Sequence, residues 1–142
     1  MEVIVQHLGA VQFEITARDQ TIISDQPAES GGYDEGMTPP EFLLAALGSC
    51  AAYYVVDYLK RNNLTVEKTR VKVTADKVKG IIPGVAYTGA RIDNFVIEVD
   101  VARELTLKQR QGLEEAIHRC LVHNTLLTPP KIALAIKSTV AV

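Results

Sequence analysis

The sequence carries almost no surplus of charge: 15 Lys and Arg stand against 17 Asp and Glu, a formal net charge of −2 at pH 7. That balance offers no electrostatic footprint for nucleic acid or an anionic membrane surface, both of which reward clustered basic charge. Cysteine is scarce as well, with two in 142 residues and no CxxC or HxxxH pair beside them. A disulfide framework and the usual zinc spacings are thereby set aside. The first ten residues, MEVIVQHLGA, lack the basic start, long apolar stretch and cleavage site of a secretory signal. No internal repeat, low-complexity tract or linker interrupts the chain. The expectation is a single domain over residues 1–142 in the reducing cytoplasm, where two cysteines are free, buried, catalytic or redox-active. A chain of this length buries roughly two thirds of its unfolded surface, so it needs neither disulfide nor metal simply to fold.

What is present is organised around the stretch from Thr38 to Leu59, TPPEFLLAALGSCAAYYVVDYL, which predicts one long helix. Thr38 suits the N-cap, and Pro39 suits the first turn, where its missing N–H is no loss. Glu41 completes a capping box with Thr38. From Phe42 onward only Gly48, Ser49 and Asp57 interrupt the apolar run, so the helix belongs in the middle of a structure. A membrane span becomes conceivable at about 18 apolar residues. The many alanines, the internal Asp57 and strand-like segments on both flanks argue instead for a buried central helix. Asn62-Asn63 ends it, with residues that tolerate the left-handed conformation found just past helices.

Ahead of the helix, Val11, Phe13 and Ile15 alternate with Gln12, Glu14 and Thr16, the period of a half-buried strand. Arg18-Asp19-Gln20 makes a polar turn, Thr21 starts a partner strand, and PAESGGYDEGM (27–37) is a loop rich in Gly and Pro. Behind the helix, Val71, Val73 and Ala75, and later Phe95, Ile97, Val99 and Val101, mark two further strands. The segment 76–94 between them, with Gly80, Pro83, Gly84 and Gly89, reads as a hairpin loop rather than a mobile lid. A second helix opens at Thr106 with Gln109 as its capping partner, and its apolar stripe takes in Leu113, Ala116, Ile117, Cys120 and Leu121. Thr128-Pro129-Pro130 stops that region, and Ile132, Leu134 and Ile136 predict a closing strand. Sheet plus two helices make an α+β domain.

Reactive chemistry concentrates on the cysteines. The thiolate is the reactive form, and a thiol needs a nearby cation or donors to bring its pKa below about 8.5. Cys50 lies in mid-helix, away from its own helix N-terminus, so Arg18, Arg119, His118 and His123 are the candidate sources. The blander reading makes Cys50 a small core hydrophobe, the commoner fate of a buried cysteine. Cys120 faces the core from the second helix, and whether it meets Cys50 at disulfide distance stays open at this level. A metal site built from Cys50, Cys120 and His123 has no ligand spacing to support it. Nine residues separate Glu41 from Cys50, which at about 100° per residue puts them on opposite faces of a straight helix.

The run GGYDEGMTPPEFLLAALGSC resembles the Gly-rich loop, Pro-Glu and Ala/Leu-rich helix leading to the first cysteine of the OsmC/Ohr family, the osmotically inducible and organic-hydroperoxide-resistance proteins. CLVHNTL, starting at Cys120, is similar to the family's second-cysteine segment. The likeness covers nearly the whole chain in element order and lies closer to the broad OsmC-like branch than to the peroxidase branch. It implies an antiparallel sheet wrapped around a long central helix plus a second amphipathic helix, in an intertwined homodimer. It further implies a cysteine-based organic hydroperoxide reductase, with Cys50 peroxidatic and Cys120 resolving. Arg18 and Glu41 would take the places of the Arg and Glu that accompany the reactive cysteine. An external dithiol, lipoyl-type in the better-known branch, would act as reductant, with no bound cofactor and no nucleic-acid or membrane partner. Where the family more often has proline after its second cysteine, Leu121 lets the helix continue. The other reading within the family is a non-peroxidatic, small-molecule-binding dimer whose cysteines mainly pack.

Overall fold

The computed structural model describes residues 1–82, 84, 88–128 and 130–138. Strands β1 (Ile4–Gly9), β2 (Gln12–Ala17) and β3 (Gln20–Ser24) precede helix α1 (Pro39–Arg61). Strands β4 (Arg70–Ile81) and β5 (Thr88–Asp100) follow, then helices α2 (Leu107–Ile117) and α3 (Leu121–Leu127). The strands form two antiparallel sheets, β1-β2-β3 and β4-β5. The architecture is α+β, as the pattern predicts.

α1 starts where its cap lies. The Thr38 N–H and hydroxyl both donate to the Glu41 carboxylate, at 2.7 and 2.8 Å. It ends at Asn62, and Asn63 takes the left-handed conformation with φ 54°. The helix is long and apolar enough to cross a membrane, with a mean hydropathy of 1.5 over its best window. Here one side of it packs on β4, α2 and α3, and 22% of that window is buried. Leu47, Ala51, Val55 and Leu59, one helical turn apart, are its buried line. Val55 and Leu59 meet Leu113 of α2, ringed by Tyr58, Val71, Val99 and Ile117. The two helices approach closely at Gly112, where a Cβ would stand 2.6 Å from Tyr58 Oη.

β4 and β5 pair from Arg70–Asp100 outward to Ile81–Thr88, with one irregularity between Thr74 and Asp76. Segment 76–94 is therefore hairpin for most of its length, although Pro83 at its tip lies outside the described residues.

Two expectations fail here. The second helix does not run through Cys120 and Leu121. α2 ends at Ile117 with His118 as C-cap, and the chain restarts as α3 with Cys120 as N-cap. In a continuous helix the His123 N–H would go to the Arg119 carbonyl; after the break it goes to Cys120 Sγ at 3.3 Å. Cys120 is buried as expected, but Leu121, counted on the buried stripe, is 63% exposed. The closing strand is also missing: Ile132, Leu134 and Ile136 have no regular structure and are 86–90% exposed. A strand needs a neighbour to satisfy its backbone, and among the described residues none pairs with this segment. Pro129, part of the expected stop before it, lies outside the described residues.

The three-stranded sheet joins the helical layer through a loop whose ends meet. The Asp25 N–H donates to the Met37 carbonyl at 3.3 Å, beside a Ser24–Met37 bridge. Asp25 itself is 1% exposed. Its carboxylate accepts the N–H groups of Gln26, Tyr33 and Glu35 at 2.8–3.2 Å and the Gln12 amide at 3.2 Å. Burial opposes its ionisation, but these four donors prevail and hold it below the usual carboxylate range.

Candidate functional site

Cys50 sits on α1 one turn beyond buried Leu47 and keeps partial exposure, whereas Cys120, at the α2–α3 break, has none. Both thiols are free. The break turns Cys120 and the first amides of α3 towards α1, where the Cys120 thiol and the N–H groups of Val122 and Leu121 favour the ionised form of the Cys50 sulfur. Burial pushes the Cys50 thiol up, yet those donors outweigh it and bring its pKa below the ordinary thiol value. For Cys120, burial acts first, and the proton it shares with Cys50 and the charge on Cys50 add to it. The opposing N–H bonds from His123 and Val122 are too weak to compensate, so Cys120 is raised. The arrangement separates two like groups: the partly open sulfur loses its proton more readily than an ordinary thiol, and its sealed neighbour less readily. That is the asymmetry expected of an attacking thiolate and a second thiol held in reserve.

Within the single chain the groups that lower the Cys50 pKa are one thiol and two backbone amides, not the cations proposed from sequence. Arg18 occupies the exposed β2–β3 turn with φ 55°. Glu41 is exposed at the start of α1, and Thr38's backbone N–H and hydroxyl hold its carboxyl below the usual range. Among the described residues neither hydrogen-bonds to a cysteine. Nor do the described residues gather three or more His, Cys, Asp or Glu side chains into a metal-sized cluster.

Two features of the structure carry little signal in the sequence. One is Asp25, whose only local signal is an acidic residue at a strand end before Gln-Pro. The other is a cleft of about 710 Å³, walled by Phe95 and Ile97 of β5, Ile117 of α2 and Leu126 of α3 over a floor at Leu47. His118 and His123 stand at its edge with their rings stacked, 5.4 Å apart and 4° from parallel. Two histidines flanking Cys120 were visible in the sequence, but their stacking depends on the helix break.

A family model described as OsmC-like protein matches residues 32–135. No curated protein sequence matches the chain significantly. Among solved structures, a Psychrobacter arcticus 273-4 protein named for osmotic stress induction and detoxification response is similar at 21% identity, with a TM-score of 0.71 over 87% of this chain and 85% of that one. An OsmC like protein from Mycoplasma pneumoniae follows at 20% identity and a TM-score of 0.66, covering 90% and 87%. An organic hydroperoxide resistance protein from Legionella pneumophila shares 17% identity and a TM-score of 0.59, covering 90% of each chain. At these identities the likeness to solved structures concerns the fold.

Proposed function

Since the chain belongs to the OsmC-like family, we propose that it is a thiol-dependent peroxidase that reduces organic hydroperoxides through Cys50 and Cys120 in an intertwined homodimer. What supports this reading is the split pair: a partly exposed thiol whose pKa is lowered, beside a sealed thiol whose pKa is raised. The Cys50 thiolate attacks the terminal oxygen of the hydroperoxide, the O–O bond breaks, and the leaving alkoxide takes a proton to become an alcohol. Cys50 is left as a sulfenic acid. Cys120 sulfur then attacks Cys50 sulfur, the S–O bond breaks, water leaves and a disulfide forms. An external dithiol, lipoyl-type by family analogy, restores both thiols by exchange. A reducing, cytoplasmic setting suits two free thiols. Alkyl tails gain from the apolar surroundings of α1, which favours organic hydroperoxides over hydrogen peroxide.

The dimer is supported by surface area. The chain exposes 11190 Å², against roughly 7,200 Å² for a compact monomer of this mass. A second copy is the natural cover for an excess that large, and it is also the route by which Arg18 and Glu41 reach the places the family gives them. The cleft favours the other reading, a small-molecule-binding dimer, because neither cysteine lines it.

A thiol count and intact mass before and after one equivalent of an organic hydroperoxide separates the two. Loss of both thiols with formation of one intramolecular disulfide is expected. Two unreacted thiols in folded protein would assign the cysteines to packing and the function to the cleft.

A further inference from the structure

The two sulfurs have a structural role besides the chemical one. α3 is seven residues long and has no buried residue of its own, far below the ~12–15 residues at which an isolated helix holds together. Its first amides need acceptors from outside the helix. His123 gives its own to Cys120 Sγ at 3.3 Å, and the amides of Leu121 and Val122 lie towards the Cys50 sulfur, whose ionised form they favour. This end is also held by the Asn124 N–H to the Cys120 carbonyl at 3.0 Å, the Thr125 hydroxyl to the Leu121 carbonyl at 2.9 Å, and the stacking of His123 on His118. The N-terminus of this helix is therefore capped by sulfur. A thiolate is a charge-assisted acceptor, whereas a disulfide sulfur carries no charge and accepts weakly. Closing the S–S bond also draws the sulfurs to about 2.05 Å and fixes their torsion, pulling Cys120 Sγ off the line of the His123 N–H.

We propose that oxidation of Cys50 and Cys120 to a disulfide uncaps α3, so that the helix and the cleft wall it supplies, His123, Leu126 and Leu127, loosen together. This rests on the peroxidase reading for the identity of the oxidant. An organic hydroperoxide gives one oxygen to Cys50, which leaves as water when Cys120 attacks, so the pair loses two electrons and two protons and the hydroperoxide becomes an alcohol. The consequence is directional. Cys120 has no exposure in the reduced protein, and release of α3 exposes its sulfur to an incoming dithiol only after the oxidative step.

The test is amide hydrogen exchange on the whole protein, reduced and after oxidation by diamide, with the disulfide verified by intact mass. Diamide forms the bond without peroxidase chemistry. Exchange at Leu121, Val122 and His123 is expected to rise at least roughly fivefold, the size of one lost N-cap, while α1 and the β4–β5 hairpin stay unchanged. Cys120→Ser keeps a capping oxygen but cannot form the bond, so its α3 amides are expected not to respond to diamide. Unchanged exchange in disulfide-bonded protein, or an equal response in Cys120→Ser, overturns the proposal and leaves the peroxidase reading standing. A rise with diamide in protein that an organic hydroperoxide fails to oxidise supports the switch and removes the peroxidase. Failure of diamide to link the two cysteines overturns both.

Discussion

The helical layer and the N-terminal sheet differ in how far the single chain completes them. Around α1 the core is closed: Val55, Leu59 and Leu113 are buried and surrounded by side chains from β4, β5 and α2. In the three-stranded sheet, Val5, Ile15 and Ile22 form one cross-strand row beside Phe13. The described residues leave much of that row open: Val5 and Ile22 are 58% and 49% exposed, and Ile15 and Phe13 are half-buried. The tail is in the same condition, with alternating apolar residues and no strand beside it. Apolar patterning is thus spent in two ways, one buried within the chain and one left at the surface, where the proposed second copy would cover it. Contiguous exposed apolar surface on this scale marks an interaction face.

Ile15 stands in the middle of the open row. Ile15→Asp puts a carboxylate where a second copy would bury it. The expected result is loss of the dimer in sedimentation equilibrium, with a stability loss of order 3 kcal/mol or more in thermal unfolding. On a sheet that stays exposed, the same change costs about 0.5 kcal/mol or less. An unaltered mass and melting temperature would show that the sheet is complete in one chain. The closed side responds differently. Gly112→Ala drives a methyl against the Tyr58 ring and should cost about 1–3 kcal/mol, as overpacking does, without changing the oligomeric mass. If it dissociates the protein instead, the two regions are not separable and the comparison fails.

Sequence and structure agree where the physics is local. α1 was legible from Thr38, Pro39, Glu41 and the apolar run after them, because caps and periodicity act within a few residues. β2 and the Arg18-Asp19-Gln20 turn were legible for the same reason. The stripe through Cys120 and Leu121 misled because helical spacing was counted across a break, and a break that leaves Cys120 buried preserves half of the pattern. Alternation at Ile132, Leu134 and Ile136 predicts a strand but cannot say which edge, in which chain, it pairs with. Asp25 was invisible because its four donors come from Gln12, Gln26, Tyr33 and Glu35, a convergence set by tertiary folding. The cysteines were legible as candidates, but the source of Cys50's activation was not. The sequence pointed to cations, whereas a neighbouring thiol and two amides do it.

The smallest expected effect tests that last point and sharpens the comparison at once, since Cys50 belongs to the closed layer and Arg18 to the open sheet. The Cys50 pKa is lowered in the folded protein, so its ionisation contributes stability above the unfolded thiol's value of about 8.5, lost as the pH falls through the folded value. Cys120 is raised, so its contribution has the opposite sign: present below about 8.5 and lost as the pH rises through the folded value. Iodoacetamide modification of Cys50 against pH should therefore give a midpoint below that of a free thiol. Cys120→Ala should move the midpoint up, because it removes the first of the donors that lower it. Arg18→Ala should move it up by less, and only through the dimer, because Arg18 makes no hydrogen bond to Cys50 in its own chain. An Arg18→Ala profile that overlays the wild type would take Arg18 out of the mechanism. The thiol pair would then account for the activation alone, and the open sheet would serve assembly without contributing to the chemistry.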